Sequence, residues 1–465
     1  MVDPTGVATR RRFLLFGTTT VAAVITAACG ATSTPAQPTA AVATPPRASQ
    51  SPVAKPTAPA QAQGGTSKAQ GKVTAWYVFA GDSPQGKSMP QLAKAFNQAN
   101  PGTTVDVQFG GGGDFAQKIL TAVAGGAPPD AMTIDVIWPA RFATANAVIA
   151  LDEYAKRDGE NLNDFIPAAL DACTYNGKVY ALPLQTGAPI LVYNKTLFKE
   201  AGLDPEKPPA TWDEQISFAQ KLTKAPGQWG VNVPLGHIEW PVMFLWHPLV
   251  WQNGGELTDK QYTKDLFNSQ QGVEALQYWV DLIHKYKVGT MTPPAYGQAF
   301  ASGKFAMSVE VPSEISYLEG LKVPFEFGTA VLPKKVAAAS NLGGWNWAVA
   351  KGGANPDGAW EWVRWATSRD SLISWNQSVT MIAPRKSVQD STAYQKFMKD
   401  EPHWKGVLDT IPIIRVRPKL VNYLEWSDKV GQAIESAMYN RASAKDALDQ
   451  AAKACDEILA KEPHA

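Results

Sequence analysis

The chain has 465 residues, with 43 Lys plus Arg against 42 Asp plus Glu, 45% hydrophobic residues and 3 Cys. At ~150 residues per domain this length supports two or three domains with sizeable cores. The near-neutral balance lacks the basic footprint that phosphate-backbone binding needs, which argues against a nucleic acid as partner. Three Cys cannot form a disulfide scaffold, and no run of ~18 uninterrupted apolar residues marks a membrane-spanning helix.

Residues Thr9 to Ala28, TRRRFLLFGTTTVAAVITAA, place three arginines before an apolar stretch that ends in small residues. This is the architecture of an export signal, so residues 1–28 are set apart from the fold. Arg10 and Arg11 followed by Phe13 and Leu14 resemble a twin-arginine signal, with Leu15 where a polar residue is usual. Thr26, Ala27 and Ala28 before Cys29 resemble a lipoprotein processing site, which makes Cys29 the expected lipidated N-terminus. The following segment, through residue 71, is rich in Ala, Thr, Pro, Ser and Gln and has no aromatic residue or carboxylate. It cannot bury enough apolar surface to offset its ordering entropy and reads as a disordered tether. One or two lipid chains at its head would hold an exported, cell-surface or periplasmic body near a membrane. That body, residues 72–465, carries 37 basic against 41 acidic side chains.

From Lys72 the run VTAWYVF predicts a strand, and MPQLAKAFNQA a helix stopped by Asn100, Pro101 and Gly102. TVDVQF, the glycines 110–113, the helix DFAQKILTAVAGG and the strand AMTID follow. Alternating strands and helices predict a parallel sheet with crossover helices, an α/β fold. Asn176-Gly177 marks a hairpin. Thr211 with Glu214 forms a capping box for a helix through Lys224, and Ser443 caps the last helix, through Leu459. Helices are expected to dominate after residue 350. Trp360, Trp362 and Trp365 read as packing residues of one helix. In HIEWPVMFLWHPLVW (237–251) two prolines interrupt three tryptophans that cannot all face one core, so part of that surface is expected to serve a ligand.

Gly81 to Ser88, GDSPQGKS, satisfies the Walker A pattern between a strand and a helix. Pro84 nevertheless has no N–H and no access to positive φ, and Asp82 would set a carboxylate beside the phosphates, so a plain strand-to-helix turn is the better reading. Gly110 to Gly113 lacks the last glycine of a dinucleotide fingerprint, because Phe115 and Ala116 stand there. The His residues at 237, 247, 284, 403 and 464 have no metal-ligand spacing, and neither HExxH nor GxSxG occurs. No metal, cofactor or catalytic residue is expected. Asp114, Asp135, Glu239 and Glu310 leave an exported glycoside-active enzyme as a remote alternative. Cys173 and Cys455 are equally compatible with a disulfide and with two single buried thiols.

The strings AFNQANPGTTVDVQF, LTAVAGGAPPDAMTID, YNGKVYALPLQTGAPILVYNKTLFKEAGLDPEKPPATWDEQ, NGGEL, NSQQGVEALQYWVDLI, AFASGKFAMSVEVPSEI and APRKS resemble the extracellular solute-binding proteins of family 1. These are the lipoprotein receptors of ABC importers for sugars and related solutes, similar in build to the maltodextrin-binding protein. The match covers roughly residues 73–390. It implies a two-lobe, type II periplasmic-binding-protein-like fold, each lobe a central β-sheet flanked by helices, closing on a ligand by hinge motion. Carried onto this sequence, lobe one is 72–184 plus 309–354 and lobe two is 185–308 plus 355–465. The crossings fall near Leu184 to Gly187, Val309 to Pro312 and Gly352 to Pro356.

The resemblance nominates ligand-binding residues at strand ends and in facing loops: Phe79 and Asp82 after the first strand, Asp114 after the glycines, and Asp135 with Trp138 after the third strand. It adds Gln185 and Thr186 at the first crossing, Trp240, Trp246 and Trp251 as stacking faces, Glu310 at the second crossing, Trp345 after Gly343 and Gly344, and Arg385 in APRK. Indole rings suit the apolar face of a pyranose, and carboxylates, amides and Arg satisfy its hydroxyls. The expectation is a monomeric receptor that captures a sugar, oligosaccharide or polyol and delivers it to ABC permease subunits. The alternative is a sugar phosphate or glycerol phosphodiester held by Arg385, because a guanidinium also binds phosphate bidentately.

Overall fold

The computed structural model describes residues 69–236, 239–294 and 298–463. The export signal, Cys29 and the tether through residue 68 lie outside the described residues, as do His237 and His464.

The chain enters on β1 (Gly71–Tyr77), which turns Val73, Ala75 and Tyr77 inward in strict alternation. The next helix, Pro84–Ala99, buries Met89, Leu92, Ala93 and Phe96, the one-face spacing that packs a helix on a sheet. Ser83 caps it by accepting from the Gly86 N–H at 3.0 Å, and Pro84 opens its first turn. The GDSPQGKS segment is therefore a capped helix start whose Gly86 amide is already bonded. A Cβ on Gly86 would lie 1.8 Å from the Ala80 carbonyl oxygen, so the close approach of backbone explains that glycine.

β2 (Thr103–Phe109) and β3 (Ala131–Asp135) flank β1, both parallel to it. The hairpin of β4 (Thr174–Tyr175) and β5 (Lys178–Val179) turns through Asn176 and Gly177, both at positive φ, as its sequence predicts. β6 (Leu182–Gly187) and β7 (Ile190–Asn194) follow almost without a break, and every residue of both is buried. β8 (Met307–Glu310) and β9 (Phe327–Ala330) pair with β7 on either side, giving an antiparallel three-stranded sheet in the order β8-β7-β9. After β10 (Ser340–Asn341) the chain returns as β11 (Gly343–Val349), which lies antiparallel between β3 and β6. The first sheet thus reads β2-β1-β3-β11-β6. Late in the chain, β12 (Ile414–Arg415) pairs with β10.

These two sheets define two lobes, and their membership corrects the boundaries expected from sequence. β9 belongs to the second sheet, so residues 309–342 stay in lobe two and the second crossing lies at Leu342–Gly343. The helix Pro356–Ala366 packs on β1, β3 and β11, and Arg369–Val379 packs on the first helix of the chain, so the segment after Gly352 remains in lobe one. The return to lobe two comes before the helix Trp404–Thr410, which packs on β7 and β9. A Gly or Pro that interrupts a strand marks a turn, but it carries no information about which sheet the next strand joins.

Trp347, Trp360 and Trp362 lie in the core of lobe one, and Trp246 and Trp426 in that of lobe two. The helix Phe244–Gln252 is buried on every side, which is why its tryptophans need no ligand to cover them. Cys173 and Cys455 are separate buried thiols, and the Cys455 Sγ lies 3.6 Å from the Trp426 carbonyl oxygen.

Candidate functional site

The first sheet delivers its loops at the carboxyl ends of β1, β2 and β3, the edge at which open α/β sheets collect ligands. Phe79 follows β1 and sets its ring 5.9 Å, edge-on, from Trp345. Trp138 follows β3, stacks on Phe142 at 5.7 Å and meets Trp345 edge-on at 5.4 Å. Trp345 is fixed by its strand: on β11 it stands opposite Asp135 on one side and Gln185 on the other. The preceding Gly344 has φ +145°, and a Cβ there would lie 2.2 Å from the Gln185 carbonyl oxygen, so only glycine lets the strands close at this point. Gln185 is buried and accepts from the Trp375 Nε1–H at 3.0 Å, and Trp375 lies 5.9 Å from Phe79.

Lobe two reaches the same place. Gly343 approaches Phe244 so closely that a Cβ would lie 2.9 Å from its ring. Phe244 carries Trp240 at 5.1 Å and the Arg417 guanidinium at 5.1 Å. Trp240 leaves helical geometry (φ −108°, ψ 126°) in the turn Glu239–Met243 and is 42% exposed, unlike Trp246 and Trp251. Arg417 donates through Nη1 to Glu239 Oε1 at 2.5 Å and through Nη2 to the Leu342 carbonyl at 3.3 Å, with Asp135 Oδ1 3.7 Å away. Glu239 also accepts from the Tyr423 hydroxyl at 3.0 Å and from Ser427. A chain of contacts thus runs from β3 of lobe one through Arg417 to the helix Tyr423–Met438 of lobe two.

The electrostatics follow from this enclosure. Asp135 accepts from the Ile137 N–H at 3.1 Å and keeps 24% of its side-chain surface accessible, yet burial pushes it up to about 6 against the opposing pull of Arg417. Burial works against the charge on Arg417, but Tyr423, Glu239 and Asp135 outweigh it and raise that group further. Burial, reinforced by Glu239, holds the Tyr423 phenol well above its ordinary range.

The nominated residues therefore divide. Phe79, Asp135, Trp138, Gln185, Trp240 and Trp345 come together around the junction of the lobes, and Asp82 and Asp114 stand exposed at the ends of the loops beside it. Trp246 is sealed in the core of lobe two. Trp251 is covered by Arg415, 4.8 Å from its ring, on the side of the hairpin 256–266. Thr186 is fully buried and bonds the Ile382 carbonyl at 2.9 Å, while Glu310 is buried in β8 and accepts from Ser308 at 2.6 Å. Arg385 donates to Glu160 at 2.5 Å, to Asp164 at 3.2 Å and to the Thr367 carbonyl at 2.6 Å, and lies over Phe165. It ties the 160–165 loop to Thr367 at the end of the helix Pro356–Ala366, so its guanidinium, 5% exposed, is engaged by the protein's own oxygens and not presented to the junction where a phosphate was expected. Arg417, Tyr423, Ser427, Phe244 and Trp375 were missed. The available signal was IIRVRPKL, a strand-like run with a cation among apolar residues inside a tail read as helical.

Two lobes, each a sheet with flanking helices, that meet around an aromatic and carboxylate-lined junction define the class of two-lobed solute receptors. Residues 80–372 match the family model described as bacterial extracellular solute-binding protein, and this chain belongs to that family. It is 24% identical over 386 residues to a putative binding protein of Brucella abortus, covering 81% of this chain and 90% of the relative, and 24% identical over 409 residues to the sn-glycerol-3-phosphate-binding periplasmic protein of Pectobacterium atrosepticum, covering 83% and 90%. Among solved structures, the cyclic alpha-maltosyl-1,6-maltose binding protein of Arthrobacter globiformis superposes with a TM-score of 0.73 at 27% identity, covering 84% of this chain and 99% of that one. Maltose-bound MalE3 of T. maritima gives 0.73 at 25% identity, covering 83% and 99%. The chain is an extracellular solute-binding protein of the type II periplasmic-binding-protein fold.

Proposed function

We propose that this protein captures a sugar, oligosaccharide or polyol between its lobes and delivers it chemically unaltered to an ABC permease. The observation that carries the reading is the aromatic wall of Phe79, Trp138 and Trp345 beside the Asp135–Arg417–Glu239 cluster, with exposed Trp240 on the other lobe. Flat rings cover the C–H face of a pyranose, and fixed polar groups satisfy hydroxyls that would otherwise be buried unpaired. Relatives and neighbours named for maltose-type ligands support the same class. In this reading the carboxylates orient hydroxyls and perform no hydrolysis. Cys29 carries the lipid that tethers the receptor to the membrane, and the receptor acts as a monomer.

A thermal-shift panel of mono-, di- and oligosaccharides and polyols tests the central claim, because a ligand at 100 times its Kd stabilises the native state by about 2.7 kcal/mol. A raised melting temperature with altered Trp fluorescence is expected for at least one class, without release of reducing ends. A flat response across the panel at millimolar concentration overturns the reading. The anchor is tested separately by mass spectrometry of the processed N-terminus, where a diacyl or triacyl mass on Cys29 is expected and an unmodified Cys29 refutes it.

A further inference from the structure

We infer that the cleft selects a neutral polyhydroxyl solute and rejects the anionic derivatives of that solute, an inference that rests on the carbohydrate reading above. Arg417 is the guanidinium at the junction of the lobes. The guanidinium of Arg417 has one Nη on Glu239 and the other on the Leu342 carbonyl, with Asp135 beside it. Its flanks are covered by the rings of Phe244 at 5.1 Å and Tyr423 at 5.6 Å, and only 5% of its side chain is exposed. A phosphate or carboxylate is gripped by a guanidinium through two parallel N–H donors; here both Nη groups are occupied by the protein's own oxygens, and the Nε–H, which has no hydrogen-bond partner among the described residues, is buried out of a ligand's reach. Arg385 is held in the same manner by Glu160 and Asp164. Lys118, on the rim of lobe one, donates to the Gly110 carbonyl at 2.7 Å.

The carboxylates point the same way. Asp135 and Glu239 set two acids against the single cation Arg417, and Asp82 and Asp114 stand exposed at the adjoining loop ends. An incoming phosphate would meet like charge in a partly dehydrated site, where such juxtaposition is unfavourable and acts as a filter against the wrong partner. A neutral hydroxyl meets no such field and can donate to Asp135, while an ammonium on the ligand is accepted by the excess of acid. The relative named for sn-glycerol 3-phosphate is 24% identical over 409 residues, so the filter is a property of these side chains and not of the family.

The test is isothermal titration of the full chain at pH 7.5 with matched sets: glucose, glucose 6-phosphate, glucuronate and glucosamine; maltose and maltose 6′-phosphate; glycerol and glycerol 3-phosphate. Within the set whose neutral member binds, the anionic member should bind on the order of 100-fold more weakly, and the amino member no more weakly than the neutral one. Glu239→Gln removes one of the acids that occupy Arg417 and should narrow the neutral-to-anionic gap by about tenfold. Asp135→Asn is the parallel variant should the first not fold. An anionic member that binds the wild type as tightly as its neutral partner overturns the inference, as does a gap unchanged in a folded variant. Silence from every set overturns the carbohydrate reading itself, which separates the two failures.

Discussion

Trp345 stands on β11 between Asp135 and Gln185 with Phe79 and Trp138 at its edges, whereas Trp246 is enclosed in the core of lobe two, so truncating each should appear in different measurements. Trp345→Ala, and likewise Trp240→Ala, should weaken ligand binding by roughly 1–3 kcal/mol in titration with little change in melting temperature. Trp246→Ala should instead cost about 3–5 kcal/mol of stability through the cavity it leaves, whether or not ligand is present. A folded Trp345→Ala protein of unchanged affinity would assign that ring to packing alone. Arg385 belongs with Trp246. Arg385→Ala leaves Glu160 and Asp164 without their cation in a largely buried setting, a loss of about 3–5 kcal/mol on the scale of broken buried pairs. Denaturant unfolding checks it, and an equal loss of binding at unchanged stability would contradict it.

At the scale of elements, the parts legible in the sequence are those governed by local chemistry. The Thr211 and Ser443 caps form as read, with the Thr211 hydroxyl accepting from the Glu214 N–H and the Glu214 carboxylate reaching back to the Ala210 N–H at 2.7 Å. The three parallel strands and the Asn176-Gly177 hairpin follow their periodicity and turn residues. The misplacements all involve long-range partners. β9 reads like any short apolar run, and nothing in FGTA says that it pairs with β7 instead of joining lobe one. Arg385 and Arg417 are both arginines in extended segments, and only the tertiary fold decides which of them meets the junction of the lobes. The Gly343-Gly344 pair was visible but its cause was not: it admits Phe244 on one residue and the Gln185 carbonyl on the next. Gly344→Ala should therefore destabilise the protein by roughly 1–3 kcal/mol and displace Trp345, lowering affinity as well. An alanine variant that binds and melts like the wild type would show that β11 can shift without consequence.

For the whole molecule, the two lobes share more than the chain crossings at 187–190, at 342–343 and ahead of Trp404, because β7 turns Leu191 and Tyr193 toward the core of lobe two and Ile190 and Val192 toward residues that pack with lobe one. Global stability should consequently report on buried groups far from the junction, and Asp265 is the clearest of them. It is 3% exposed and accepts from the Trp426 Nε1–H at 2.7 Å, while burial, with Asp456 and Asp259 nearby, pushes it up to about 7. An unfolded Asp titrates near 4, so between about pH 4 and pH 7 the folded state holds a proton that the unfolded state has released. Stability from this group is thus greatest below pH 4 and is lost as pH rises through 7, by on the order of 2–4 kcal/mol. Glu274, held down to about 2 by Lys335, Asn253 and Gln270, runs in the opposite sense but lies at the surface, where the solvent screens it. The contribution of Asp265 is isolated by difference. Asp265→Asn retains an oxygen to accept from Trp426 and removes the titration, so urea midpoints for the variant and the wild type should converge at pH 4.5 and separate at pH 8 with the variant the more stable. A difference of equal size at both pH values would mean that Asp265 does not titrate across this window in the folded protein.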